Sequence, residues 1–126
     1  PPRSTLFPYT TLFRSVLILG MTFKENVTDI RNSKVADVIS ELDDFGVKVD
    51  VIDPGASQNE VKEEYGIELK DRPEGKYDAI ILAVSHNEYT NLDESFFSQL
   101  LAKDGIVVDV KGILKGKINS HIYWSL

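Results

Sequence analysis

The chain has 126 residues, 42% hydrophobic and 27% charged, which suits one compact domain with one core. Its formal net charge of -6 sets an acidic surface against any phosphate polymer, so nucleic-acid binding is not expected. The lack of cysteine excludes disulfides, thiolate metal sites and cysteine nucleophiles and fits a reducing, cytoplasmic setting. No apolar run approaches the roughly 20 residues that a membrane span requires.

The first fifteen residues differ from the rest. Arg3-Ser4-Thr5-Leu6-Phe7 is answered by Thr11-Leu12-Phe13-Arg14-Ser15, and the stretch holds two arginines and no acid. The remainder sets 12 basic side chains against 20 acidic ones, a charge of -8. With no helical or strand period, and with Pro8 to Thr11 breaking any secretory core, residues 1–15 read as a foreign or disordered leader ahead of a domain over 16–126, the alternative being a native linker.

From Val16 the chain changes character. Val16-Leu17-Ile18-Leu19-Gly20 reads as a buried strand ending in glycine. After a polar stretch, Val35, Val38, Ile39, Leu42 and Phe45 recur at helical spacing, with Asn32 or Ser33 as cap and Gly46 as a left-handed stop. A second strand over 47–52 ends at the turn Asp53-Pro54-Gly55, where an Asp side chain bonds backbone more readily than it does chemistry. A short acidic helix over 57–65 closes at Gly66, and Glu60, Glu63 and Glu64 form its solvated face. Residues 67–69 suggest a small strand, and 77–84 a clear one. A helix carrying Phe96, Phe97, Leu100 and Leu101 begins near 92–94, and a further strand covers 105–110. The tail from Lys115 shows no regular pattern; Tyr123 and Trp124 pin it to the body or mark a contact.

Apolar strands alternating with helices predict a three-layer α/β/α domain with a mostly parallel sheet of about five strands. Ligands of such sheets bind beyond the carboxyl ends of the strands, which singles out residues 20–31, 53–55, 85–88 and 109–112. The first of these segments holds a single glycine, so it is neither a dinucleotide-binding Gly-x-G-x-x-G turn nor a P-loop. It offers Lys24 and Arg31 beside a helix N-terminus, where free N–H groups and the helix dipole favour an anion. Arg31 can grip a phosphate with paired hydrogen bonds, Lys24 acts as a mobile charge, and Asp29 can orient Arg31 or cap the helix. Phe23 suits a nucleobase or the core. Read as ordinary surface, the same residues are two solvated cations and a core aromatic.

Phe23-Lys24, Asp29-x-Arg31-x-Ser33, Gly46 and Asp53-Pro54, followed by Ile80 to Tyr89 and Val108-Asp109-Val110-Lys111-Gly112, resemble in that order the C-terminal domain of the UDP-glucose/GDP-mannose dehydrogenase family. The wording from Phe23 to Ser33 is similar to the branch acting on UDP-N-acetylhexosamines, except that Val27-Thr28 stands where that branch often has Cys-Pro. The resemblance implies a Rossmann-like domain that closes over a nucleotide sugar whose C6 hydroxyl is oxidised to a carboxylate with two NAD through a cysteine-linked intermediate. It places Phe23 and Lys24 at the UDP end of the substrate and Arg31 near the phosphates of NAD. Lys111 falls near a position where some relatives use arginine for the nucleotide sugar. The glycine-rich NAD turn and the catalytic cysteine belong to upstream regions, so this chain alone is expected to be inactive. The partners implied are a UDP-sugar, the N-terminal and central domains of the same enzyme, and further copies in a homo-oligomer. Family members commonly supply uronic acids for polysaccharides.

His86 follows a strand end, but no second histidine, cysteine or serine partner supports an acid-base or metal role. A hydrogen bond to loop backbone is the expected use. The rival reading is a stand-alone receiver-like signalling or nucleotide-binding module, with Asp53 and Lys111 in the central roles. A receiver also needs an acidic pair after the first strand to hold magnesium, and that place is Gly20-Met21-Thr22-Phe23.

Overall fold

The computed structural model describes residues 15–126. The leader expected over 1–15 lies outside the described residues except for Ser15, which opens the first strand. Five strands form one sheet: β1 (Ser15–Leu19), β2 (Lys48–Ile52), β3 (Tyr77–Leu82), β4 (Leu101–Asp109) and β5 (Ile122–Ser125), in the spatial order β2-β1-β3-β4-β5. Every pairing is parallel. The helices are α1 (Val35–Asp44), α2 (Gln58–Tyr65) and α3 (Glu94–Leu100).

Alternation along β1 divides the interior in two, because successive side chains of a strand leave opposite faces. Val16 and Ile18 join Val35 of α1 and Val61 of α2 on one face. Leu17 and Leu19 join Phe97 of α3, with Leu114 and Ile118, on the other. Helices therefore cover both faces, which accounts for the unbroken apolar runs over 16–19 in β1 and 79–82 in β3. The N-cap of α1 is Lys34 rather than Asn32 or Ser33, although Ser33 Oγ accepts the Val35 N–H at 3.2 Å from one residue before it, and Gly46 takes a left-handed φ of 77° just beyond α1. Ser57 caps α2 and Asp93 caps α3, each side chain accepting the N–H three residues on.

Two stretches depart from the sequence reading. β4 starts at Leu101 rather than 105, pairing there with Tyr77 before a register shift carries the ladder to Ile106 opposite Ala79. Asp104, at φ 63°, lies in the interrupted stretch, which hid the strand's start. The tail read as irregular ends in β5, paired with β4 from Ile106–Ile122 to Asp109–Ser125. Two long-range anchors set it there. Glu94 accepts the backbone N–H groups of Asn119 and Ser120, and Tyr123 donates its hydroxyl to Asp109. The 67–69 segment contributes a single bridge, Leu69 to Val51.

Candidate functional site

The carboxyl ends of β1, β2 and β3 lie side by side because these strands are neighbours in the sheet. Gly20 ends β1 at φ 105°, and a Cβ there would stand 2.6 Å from the Cβ of Val84. Only glycine allows the first loop to leave the sheet so close to β3.

Beyond Gly20 the chain meets Asp53, which follows β2. Its Oδ2 accepts the N–H of Met21 at 2.6 Å and of Thr22 at 3.0 Å, while Oδ1 accepts the N–H of Gly55 at 2.7 Å. His86, past β3, brings Nε2 to 2.9 Å from the same Oδ2 and 3.1 Å from Thr22 Oγ1. Burial alone would raise the Asp53 carboxyl. The N–H of Met21, the His86 ring and the N–H groups of Gly55 and Thr22 outweigh it and hold the group below its ordinary value. The carboxylate thus binds three strand ends together, with the His86 side chain only 3% exposed.

The outer nitrogen of His86 reaches the first loop. Nδ1 accepts the N–H of Asn26 at 2.9 Å, so the ring proton resides on Nε2, facing Asp53 and Thr22. Thr22 Oγ1 donates to the Lys24 carbonyl at 2.9 Å, and the Phe23 N–H donates to the Asp29 carbonyl, closing the loop upon itself. Asn26 Oδ1 accepts the Asn87 N–H at 2.8 Å. Both ring nitrogens are committed to protein groups, which fits the expected hydrogen bond to loop backbone and leaves His86 no hand for proton transfer. A shallow depression of about 410 Å³ opens here between Asn26, Thr28, Gly55, His86 and Glu88.

The four residues singled out by sequence reading occupy different settings. Phe23 is 51% exposed, so it is not a core residue. Lys24 is exposed as well, and among the described residues no ion pair engages its ammonium. Lys111, after β4, comes across to the first loop and places Nζ 3.0 Å from Glu25 Oε1. Glu25 lies below its ordinary carboxyl value because of its own backbone N–H first and the Lys111 ammonium second. Arg31 gives Nε and Nη2 to the two oxygens of Asp29, each at 3.0 Å. The depression around it is lined by Glu60, Glu63 and Glu64 and not by Lys24. The structure therefore joins Lys111 to the Lys24 loop and sets Arg31 apart in acidic surroundings.

A second buried carboxylate anchors the loop of Lys111. Asp109 accepts the N–H of Gly112 at 3.0 Å, the N–H of Leu114 at 2.7 Å and the hydroxyl of Tyr123 at 2.6 Å. Burial, then the Asp109 charge, pushes the Tyr123 phenol up to about 12. Sequence reading placed Asp53, His86 and Asp109 at strand ends but missed Thr22 and Asn26, whose roles depend on the adjacency of β1, β2 and β3.

An open parallel sheet covered by helices on both faces, with anchored loops at its carboxyl edge, defines an α/β domain of the Rossmann-like class, whose ligand side is that edge. Residues 17–116 match the UDP-glucose/GDP-mannose dehydrogenase family, UDP binding domain, and the chain belongs to that family. It is 42% identical over 100 residues to the UDP-N-acetyl-D-glucosamine 6-dehydrogenase of Pseudomonas aeruginosa, a match covering 79% of this chain and 24% of that protein. It is 43% identical over 102 residues to Protein CapL of Staphylococcus aureus, with the same coverage of each. The fold is that of an NDP-N-acetyl-D-galactosaminuronic acid dehydrogenase from Methanosarcina mazei Go1, with a TM-score of 0.76 at 23% identity over 96% of this chain and 27% of that one. The chain thus spans about a quarter of the length of the relatives it matches.

Proposed function

We propose that this chain is the nucleotide-sugar-binding part of an NAD-dependent UDP-sugar 6-dehydrogenase, a cytoplasmic enzyme that converts a UDP-sugar to the UDP-uronic acid for polysaccharide synthesis. The observation that carries the reading is the first loop, which leaves Phe23 and Lys24 exposed together beside the sheet's carboxyl edge while a buried network fixes the backbone beneath them. Phe23 supplies a flat apolar surface for the uracil ring, and Lys24 a mobile ammonium for the diphosphate. Lys111 joins them when a phosphate oxygen replaces Glu25 as its partner. Substrates in keeping with the relatives are UDP-N-acetylhexosamines and UDP-glucose.

NAD, when bound, accepts the hydride from the sugar. The single-glycine loop after β1 does not fit a dinucleotide pyrophosphate. Arg31 fits an auxiliary phosphate contact, since Asp29 occupies Nε and Nη2 and leaves Nη1 for another acceptor. Hydride transfer and the cysteine chemistry are assigned to the other domains of the enzyme, N-terminal and central, which are this domain's partners in a homo-oligomeric assembly.

Calorimetric titration of the chain with UDP tests the reading. Binding is expected, with affinity lowered about tenfold by Lys24→Ala. The isolated chain with UDP-sugar and NAD is expected to give no NADH absorbance. Saturable uptake of magnesium and acetyl phosphate without UDP binding would favour the receiver-like alternative.

A further inference from the structure

The loop that presents Phe23 and Lys24 has few apolar anchors of its own, and its backbone is held by polar bonds. Two of them converge on His86, the buried side chain that no step of the proposed function uses. The ring's inner nitrogen is fixed by Asp53, and its outer nitrogen holds the Asn26 N–H, two residues beyond Lys24. Thr22, which contacts the inner nitrogen, also donates to the Lys24 carbonyl. Both flanks of the Phe23-Lys24 pair therefore end on one imidazole. Asn26 sits at φ 61°, a left-handed state that asparagine adopts more readily than other non-glycine residues and that aims its N–H at the ring.

We propose that His86 is a positioning residue, a latch that sets residues 22–26 in the geometry that receives a nucleoside diphosphate. The ligand half of this proposal rests on the UDP reading above; the latch half stands on the hydrogen bonds alone. The latch has direction. Asp53 orients the ring through Nε2–H, which leaves Nδ1 as the bare acceptor that Asn26 requires. A donor at the outer position would face another donor and release the loop.

Two substitutions separate the halves of the ring. In His86→Asn the amide oxygen stands where Nδ1 stood and keeps an acceptor for Asn26. In His86→Gln the amide nitrogen stands where Nε2 stood and keeps a donor for Asp53, while Asn26 loses its acceptor. Amide hydrogen exchange at Asn26 is expected to quicken about tenfold in His86→Gln and to stay within about twofold of the parent in His86→Asn. The Kd for UDP is expected to rise about fivefold in His86→Gln only. A purely structural histidine would make both variants lose affinity in proportion to their loss of thermal stability. Equal exchange at Asn26 in the two variants overturns the latch, and faster exchange with unchanged Kd overturns its role in positioning. If the parent chain does not bind UDP, the nucleotide reading falls, and exchange at Asn26 still decides the latch. Should either variant fail to fold, the nitrogen-15 spectrum of the parent's His86 ring decides it: a proton on Nε2 alone supports the latch, and a proton on Nδ1 overturns it.

Discussion

The two loops that carry the candidate ligand residues are anchored by buried aspartates of different reach. Asp109 serves its own loop, accepting N–H groups three and five residues ahead, and takes one distant partner in Tyr123. Asp53 serves another strand's loop, accepting N–H groups 31 and 32 residues back, and shares its charge with His86 from a third strand. The first is a local turn that hardens on burial. The second exists only when the sheet has assembled, and it carries the loop that bears Phe23 and Lys24. The difference teaches that the binding loop's shape is a property of the sheet edge rather than of the loop sequence.

The largest effect that would break this contrast is on stability. Removing Asp53 strands three backbone N–H groups and the His86 donor in a buried setting, and Asp53→Ala is expected to cost about 4 kcal/mol in urea unfolding. Asp109→Ala is expected to cost about 3 kcal/mol, since it strands fewer donors and only the Leu114 N–H among them is fully buried. Equal costs would remove the distinction.

Acid sharpens it. Asp53 ionises below its ordinary value of 3.8 in the folded chain, so its contribution is complete above that pH and is lost as pH falls through the lower native value. Between the two values the unfolded chain binds more protons, and stability should fall by up to about 1.4 kcal/mol per pH unit. An acid unfolding series on Asp53→Asn should show a shallower limb over that interval.

The smallest expected effect concerns the bridge between the loops. Lys111 and Glu25 form an exposed pair, worth up to about 1 kcal/mol. Glu25→Gln should free Lys111 and repel phosphate less, tightening UDP about threefold by calorimetry. Weaker binding would show that the pair itself shapes the site.

Much of the fold was legible in the sequence. The Val/Ile-rich runs and the stops at Gly46 and Gly66 are local signals, and they predicted most of the elements and the layered parallel sheet, whereas the caps at Ser57 and Asp93 emerged from the structure. β5 was not legible, because Ile122–Ser125 is a strand by virtue of Tyr123 reaching Asp109 and Glu94 holding the preceding turn. The exposed Phe23 and the self-paired Arg31 were likewise open choices, since neither exposure nor partner follows from spacing.

What the sequence determined by itself was therefore the elements other than β5, the family resemblance, and the positions where a ligand loop would leave the sheet. Only the tertiary structure decided which loops meet: Lys111 with Glu25, His86 with Asn26, and Arg31 apart among acids. The reason is physical. Turn chemistry and side-chain periodicity act over a few residues, whereas the order β2-β1-β3-β4-β5 brings together groups more than thirty residues apart. Their hydrogen bonds form only once burial has removed water as the competing partner.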